Sequence, residues 1–360
     1  MTQIFVPRPS VPAEDATPKK PAIKVFRQRL SNTGAVGPAV TLTLMAVLYF
    51  YMRPSVLSFD GIHTILNAGT ALALAAAGAG LVTVVGGFDF SVGAAISVVN
   101  VIIATQVGES VGSQLVSVLL ALLVGLLIGL VNSILVIRFR IASVVATLAA
   151  SFFWGGIALL ILAQPGGVVP PSFAQWFTGD VGGIVPNAAI LLFAVVAAWL
   201  VLKRTRLGHA FYAVGGNVEA ARLNGINVSG TIIAAYMIAG LLYGLSGLFI
   251  TALTSSGDPN IGAPLLLPAF AAIAIGGIRF GGGRGELTGA IVGAFILYMI
   301  SDLLYAFGVN SFYTPIMNGI ILVVAVAITA YASDRRWRES SWLGRTVHRI
   351  HPTRGKVVQI

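Results

Sequence analysis

Residues 61–88 read GIHTILNAGTALALAAAGAGLVTVVGGF, 28 consecutive positions without an Asp, Glu, Lys or Arg, bounded by Asp60 and Asp89. A membrane-spanning helix needs about 20 predominantly apolar residues, and uncharged apolar runs of this length are read as spans rather than as core helices. The stretch therefore predicts a helix that crosses a bilayer. Its surroundings repeat the pattern, because the few charged residues act as punctuation. An Arg or Asp at a helix centre costs about 2.5–3.5 kcal/mol on insertion scales, so the charge-free intervals are the candidate spans. Besides 61–88 they are 30–52, 90–108, 110–137, 141–179, 181–202, 223–257, 259–278, 287–301 and 303–333. Within 141–179, Pro165, Gly166, Gly167, Pro170 and Pro171 end the helix near Ala163. Placing the last two spans near 286–308 and 312–333 puts Asp302 inside the membrane, and the reading is an all-α protein of ten spans.

Composition agrees. Of 360 residues, 57% are hydrophobic and 9% charged, where a soluble domain carries about a quarter. A soluble enzyme and a disordered chain are excluded, and the lack of Cys excludes a disulfide-stapled domain. Ten spans place both termini on one side. In that arrangement the bases of the two tails, Arg138, Arg140, Lys203, Arg204, Arg206, Arg222, Arg279 and Arg284 all face one compartment, and Arg53 alone lies opposite. The positive-inside rule makes that compartment the cytoplasm. The net charge of +10 then reads as orientation and attraction to anionic lipid, and nucleic acid is not expected as a partner. Residues 1–34, with Pro7, Pro9, Pro12, Pro18 and Pro21, read as a disordered cytoplasmic tail without a signal-peptide pattern. The transmembrane domain occupies 35–333, with a cytoplasmic loop at 203–230, and 334–360 is a basic cytoplasmic tail.

None of the five lysines is followed by Ser or Thr, so a P-loop is missing and any ATP and Mg would be bound by another subunit. His63, His209, His348 and His351 lack metal-ligand spacing, and the loop Gly281-Gly282-Gly283-Arg284-Gly285 has no strand before it to make a phosphate cradle. No catalytic residues, metal or bound cofactor are expected, and the chain does not read as an enzyme.

Several features exceed passive anchoring. Gly86-Gly87-Phe88-Asp89-Phe90-Ser91-Val92-Gly93 interrupts the apolar run at what the ten-span reading makes a cytoplasmic turn. Irregular backbone survives in a membrane only where protein or water covers it, and Asp89 there either caps the following helix or lines a polar route. Polar side chains recur within the spans, among them Asn67, Thr70, Asn100, Asn132, Thr147, Tyr243, Thr251, Asp302 and Asn318. Most such groups make interhelical hydrogen bonds, but their number favours a route for a polar solute. In the loop, Asn217 is a helix N-cap, Glu219 suits the first turn and Gly225 is a stop, which predicts a short exposed helix over 218–224. Its Ala220, Ala221 and Leu223 would dock on a partner or lie on lipid. Gly86-Gly87-Phe88-Asp89-Phe90 also finds a weak echo in Gly276-Gly277-Ile278-Arg279-Phe280, of the kind an internal repeat would leave.

The same stretches carry a family resemblance. The chain resembles the permease subunit of bacterial ABC importers for ribose, xylose, galactose and related solutes. Gly86 to Gly93 is similar to the family's G-G-x-D-L-S-V-G signature, with Phe90 in place of Leu. Gly129-Leu130-Val131-Asn132, then Ile141-Ala142-Ser143 and Ala146-Thr147-Leu148, resemble its G-x-x-N and P-x-x-I-x-T-L region, with Ala142 for Pro. Thr205 to His209, then Ala213-Val214-Gly215-Gly216-Asn217, Ala220-Ala221 and Gly225-Ile226, resemble its cytoplasmic T-x-x-G-R and A-x-G-x-N-x-x-A-A-x-x-x-G-I motifs, with His209 for Arg. Leu266 to Ala272 departs from the acidic L-D-A-I-A-A segment of many sugar permeases. The resemblance spans about residues 40–332. It implies a multi-pass protein of the bacterial inner membrane that moves a monosaccharide or similar small polar solute inward. The implied partners are a cytoplasmic ATP-binding subunit, a periplasmic or extracellular solute-binding protein and a second permease, as homodimer or heterodimer. It further implies that Asn217, Glu219, Ala220, Ala221, Arg222, Leu223 and Gly225 form the coupling element on the ATPase. Asn67, Phe88, Asp89, Ser91, Asn100, Asn132, Thr147, Phe270 and Asp302 are then the expected route residues. The alternatives are an ABC permease for a nucleoside, polyol or autoinducer, and an ion-coupled secondary transporter using Asp89 and Asp302.

Overall fold

A computed structural model describes residues 36–313 and 315–327. The two tails expected at 1–34 and 334–360 lie outside the described residues. The rest is helical: α1 (Val36–Met52), α2 (Phe59–Val84), α3 (Val92–Gln106), α4 (Val111–Ile137), α5 (Ser143–Ile161), α6 (Pro171–Thr178), α7 (Asn187–Leu202), α8 (Arg206–Gly216), α9 (Val218–Leu223), α10 (Val228–Thr254), α11 (Leu266–Ile275) and α12 (Leu287–Ala306). A further apolar helix, α13, runs Pro315–Ala327. Five helices, α2, α4, α5, α10 and α12, are long and apolar enough to cross a membrane, and α7 with α8 makes a sixth candidate bent by 79°. Each charge-free interval carries one of these or a shorter apolar helix.

Three local details go beyond that reading. The interval 259–278 holds a helix shorter than the interval: a 3-10 turn at Ala263–Leu265 precedes ten α-helical residues in α11. After α5, Pro171 starts α6, and Asp180–Val181 (β1) pairs antiparallel with Val185–Pro186 (β2). The fold is thus helical with one very small hairpin. The cytoplasmic loop also holds more helix than expected: Thr205 Oγ1 accepts from Gly208 N at 3.2 Å and starts α8, whose Leu207, Phe211 and Val214 fall at helical spacing.

Helix α2 is the hub. From Gly69 onward nearly every residue is buried, and α10, α11 and α12 pack around it. Most of these buried residues are Ala, Gly and Val, as required where lipid supplies no hydrophobic drive and helices associate through close backbone approach. The tightest pair is α4 with α10. A Cβ on Gly125 would lie 2.2 Å from the Gly240 carbonyl oxygen, one on Gly240 2.1 Å from that of Gly125, and one on Gly129 2.1 Å from that of Tyr236. Large apolar side chains on α4 and α5 point outward instead, among them Leu119, Leu123, Phe152 and Leu160. A soluble protein could not tolerate such faces, whereas lipid tails can cover them.

Candidate functional site

The chain between α2 and α3 is irregular, with Asp89 and Ser91 buried and Phe88 and Phe90 half-buried, and the sequence dictates its geometry. Helix α2 stops at Gly86, whose φ of +87° is open to Gly at little cost. Gly86 N donates to Thr83 O at 3.0 Å and Gly87 N to Val82 O at 2.9 Å, a Schellman turn. The chain then turns back among α4, α5 and α10 rather than resting at a rim. Asp89 is fully buried against Tyr243, near the middle of α10.

Side chains from other helices meet the polar groups of this segment. Phe88 N donates to Ser143 Oγ at 3.1 Å and Phe90 N to Thr147 Oγ1 at 2.9 Å, while Phe88 O accepts from the Tyr236 hydroxyl at 3.1 Å. Asp89 Oδ1 accepts from Ser91 N at 2.9 Å and Ser91 Oγ at 2.6 Å, an Asx turn just ahead of α3. Its Oδ2 accepts from the Tyr243 hydroxyl at 3.2 Å. Asn132 Nδ2 extends the network to Ser91 Oγ at 2.7 Å. Such a chain of bonds is worth most in a dry interior, where an unmade bond is most costly.

On the other side of the segment four rings meet. Phe88 stacks on Phe280 with centroids 5.9 Å apart and planes 7° from parallel, and Phe270 contacts Phe88, Phe90 and Phe280 at 6.2, 5.3 and 6.3 Å. Phe280 follows a second Schellman turn after α11, with Gly277 at φ +76°, Gly277 N on Ala274 O and Ile278 N on Ile273 O, both 3.1 Å. The echo between the two stretches is therefore one of backbone, but displaced by one residue: Gly86 corresponds to Gly277, not Gly276.

Six of the nine expected route residues, Phe88, Asp89, Ser91, Asn132, Thr147 and Phe270, come together here. Three do not. Asn67 donates to Thr178 O at 2.9 Å, beside α6. Asn100 bridges Thr251 Oγ1 at 2.8 Å, Ser256 O at 3.0 Å and Asp258 N at 2.6 Å, tying α3 to the end of α10. Asp302 also lies apart. It pairs with Arg53 and accepts from the Tyr49 hydroxyl at 2.6 Å, joining α12 to the α1–α2 turn. Asp89 and Asp302 thus share no site. The residues missed as site members are Ser143, Tyr236, Phe90 and Phe280, with Tyr243 foreseen only as a polar group in a span.

The Gly turns abut α8. A Cβ on Gly215 would lie 1.8 Å from Val84 O and 2.6 Å from Gly283 N, and Gly283 N donates to Val84 O at 2.8 Å. The Tyr212 hydroxyl donates to Gly285 O at 2.9 Å. Lys203 Nζ meets Glu286 at 3.1 Å. Asn217 ends α8 and begins α9, its Oδ1 accepting from Ala220 N at 2.9 Å, and Gly225 follows with φ +77°. Glu219 and Arg222 form an exposed pair at 3.4 Å, and Leu223 is 81% exposed with no apolar cover. Ala221 is corrected as a docking residue: it is buried on the inner side of α9, so it anchors the helix while Ala220 and Leu223 face out.

Residues 61–326 match the protein family described as branched-chain amino acid transport system / permease component. The chain is 32% identical over 296 residues to the ribose import permease protein RbsC of Escherichia coli strain K12, covering 80% of this chain and 91% of that protein. It is also 32% identical to the ribose import permease protein RbsC of Bacillus subtilis strain 168, covering 81% and 92%. Against the galactose/methyl galactoside import permease protein MglC of Haemophilus influenzae it is 32% identical over 206 residues, 55% and 61% of the two chains.

Proposed function

The chain belongs to the branched-chain amino acid transport system / permease component family, and from that premise we propose that it is the membrane subunit of an ATP-driven importer carrying a monosaccharide or similar small polar solute inward. Ten spans, both termini in the cytoplasm and residence in the bacterial inner membrane complete the reading; the bases that fall on one face support it. The chain itself is not a catalyst. ATP and Mg belong to a cytoplasmic ATPase subunit, a binding protein delivers the solute outside, and a second permease copy completes the route.

The observation that carries the reading is α9: a capped two-turn helix with Leu223 exposed, fused through Asn217 to α8, which abuts the buried segment around Asp89. A ligand or partner shifts a conformational equilibrium only through contacts that differ between two states, and α9 offers a surface for them. Ala220→Trp with Leu223→Asp should abolish binding-protein-stimulated ATP hydrolysis and sugar uptake in vesicles holding the complete complex. Full activity in that double variant would remove α9 from the coupling role.

A further inference from the structure

The four rings lie between two backbone segments held in opposite ways. Phe88 and Phe90 are fixed from behind, their backbone bonded to Ser143, Thr147 and Tyr236 and their neighbour Asp89 to Tyr243. Phe280 belongs to the loop after α11, anchored at its start by the buried Ile278 and tied on its far side by Gly283 N donating to Val84 O and by Gly285 O accepting from the Tyr212 hydroxyl of α8. The rings themselves meet only by stacking, the backbone tie between the two sides being Gly283 N to Val84 O, and Phe88, Phe90 and Phe280 keep partly exposed surface. Parting the rings, with the loop pivoting about the Gly283–Val84 bond, breaks only dispersion contacts, while closing them makes an apolar constriction that excludes water and polar solutes.

The junction to α8 has no slack. Gly215 packs so closely on Val84 O and Gly283 N that movement of α8 must displace the Gly283 loop or the end of α2. Helix α2 is buried along most of its length, which leaves the loop as the part that yields. Interfaces packed this tightly switch between discrete arrangements rather than deform continuously.

We propose that Phe88, Phe90, Phe270 and Phe280 form the gate of the solute route at its α9 end, with Phe88 and Phe90 as the fixed side, Phe280 as the moving side, and the Gly215–Gly283 contact as the lever from the ATPase. The proposal rests on the importer reading and adds which rings close the route and what opens them.

The test uses vesicles with the complete complex and labelled ribose, xylose or galactose, whichever the unaltered complex accumulates. Phe88→Ala with Phe280→Ala should raise ATP-independent efflux from loaded vesicles at least about tenfold, the rate change for a barrier lowered by about 1.4 kcal/mol. Efflux at the unaltered rate from an assembled variant complex overturns the gate. Gly215→Ala should lower uptake at least about tenfold while ATP hydrolysis continues, the signature of a stroke that no longer shifts the gate population. Its neighbour Gly216→Ala, whose Cβ would meet nothing within 4 Å, should transport normally. Equal uptake in the two Gly variants overturns the lever. If the Phe double variant does not assemble, Phe280→Cys in this naturally Cys-free chain replaces it. A charged thiol reagent should then label the nucleotide-free and ATP-trapped complexes at rates differing at least about tenfold, and equal rates overturn the gate. If the unaltered complex shows no ATP-dependent uptake of any of the three sugars, the importer reading fails and the gate fails with it.

Discussion

Asp89 and Asp302 are both acids within apolar stretches of sequence, yet the fold treats them differently. Asp89 has no access to solvent and no cation; its oxygens are satisfied by Ser91 N, Ser91 Oγ and the Tyr243 hydroxyl. Asp302 keeps partial exposure and is met by a guanidinium, Arg53, as well as Tyr49. Far from water, three well-placed neutral donors hold a carboxyl group without adding a second charge to be desolvated. Near the end of a helix bundle, an ion pair is tolerated but weak, because solvent screens it. The first arrangement fixes backbone, the second joins two helix ends. The same residue type thus organises a functional segment in one place and fastens the structure in the other.

The largest test of this contrast is Asp89→Ala. It strands two hydroxyls and a backbone N–H in the interior, each costing about 1–3 kcal/mol when buried unpaired, so the purified protein should melt far below the unaltered one in detergent. Asp89→Asn, which keeps an acceptor for Ser91, should recover most of the loss. Equal melting of the Ala variant and the unaltered protein would break the claim that this carboxyl organises the segment. Next in size is Tyr243→Phe, which removes a single donor and should cost about 1 kcal/mol. If both variants lose stability but only Asp89→Ala also loses transport, the Ser91 side of the carboxyl is the part that positions Phe88 and Phe90.

Much of this is legible in the amino-acid sequence, and the reasons for the rest are physical. Charge placement locates each apolar helix because charged side chains are costly in hydrocarbon, and Asn217 with Gly225 bounds α9 because caps act locally. The Asp89 network is only half legible. Its Gly86-Gly87 turn is a local signal, but Ser143, Tyr236 and Tyr243 reach it from other helices, and spacing alone does not say which face of α10 turns inward. Helices α6 and α8 do carry signals: Pro171 at a first helical position, and Thr205 three residues ahead of Gly208. The Gly125–Gly129 and Gly240–Gly244 spacings are likewise small-residue patterns that suit α4 and α10 to close pairing. A count of charges does not name the partner of Asp302, because Arg53 lies 249 residues away, and a charge counted alone looks more costly than a charge in a pair.

The smallest effect expected is at that pair. Arg53 and Asp302 keep 35% and 19% of their side-chain surface exposed, so the bridge should contribute little beyond the median of exposed pairs. A double-mutant cycle of Arg53→Met and Asp302→Asn should give a coupling energy of about 0.5–1 kcal/mol. That energy should shrink as salt rises toward 1 M, where the screening length falls to about 3 Å. Tyr49 complicates the cycle usefully: it still donates to the amide oxygen in Asp302→Asn but finds no acceptor in Asp302→Ala, so the Ala variant should be the less stable of the two. A salt-independent coupling as large as the Asp89→Ala loss would mean that Asp302 is desolvated like Asp89. The contrast between a screened fastener and a dry organising group would then collapse, and the α1–α2 turn would have to be counted among the rigid elements that frame the route.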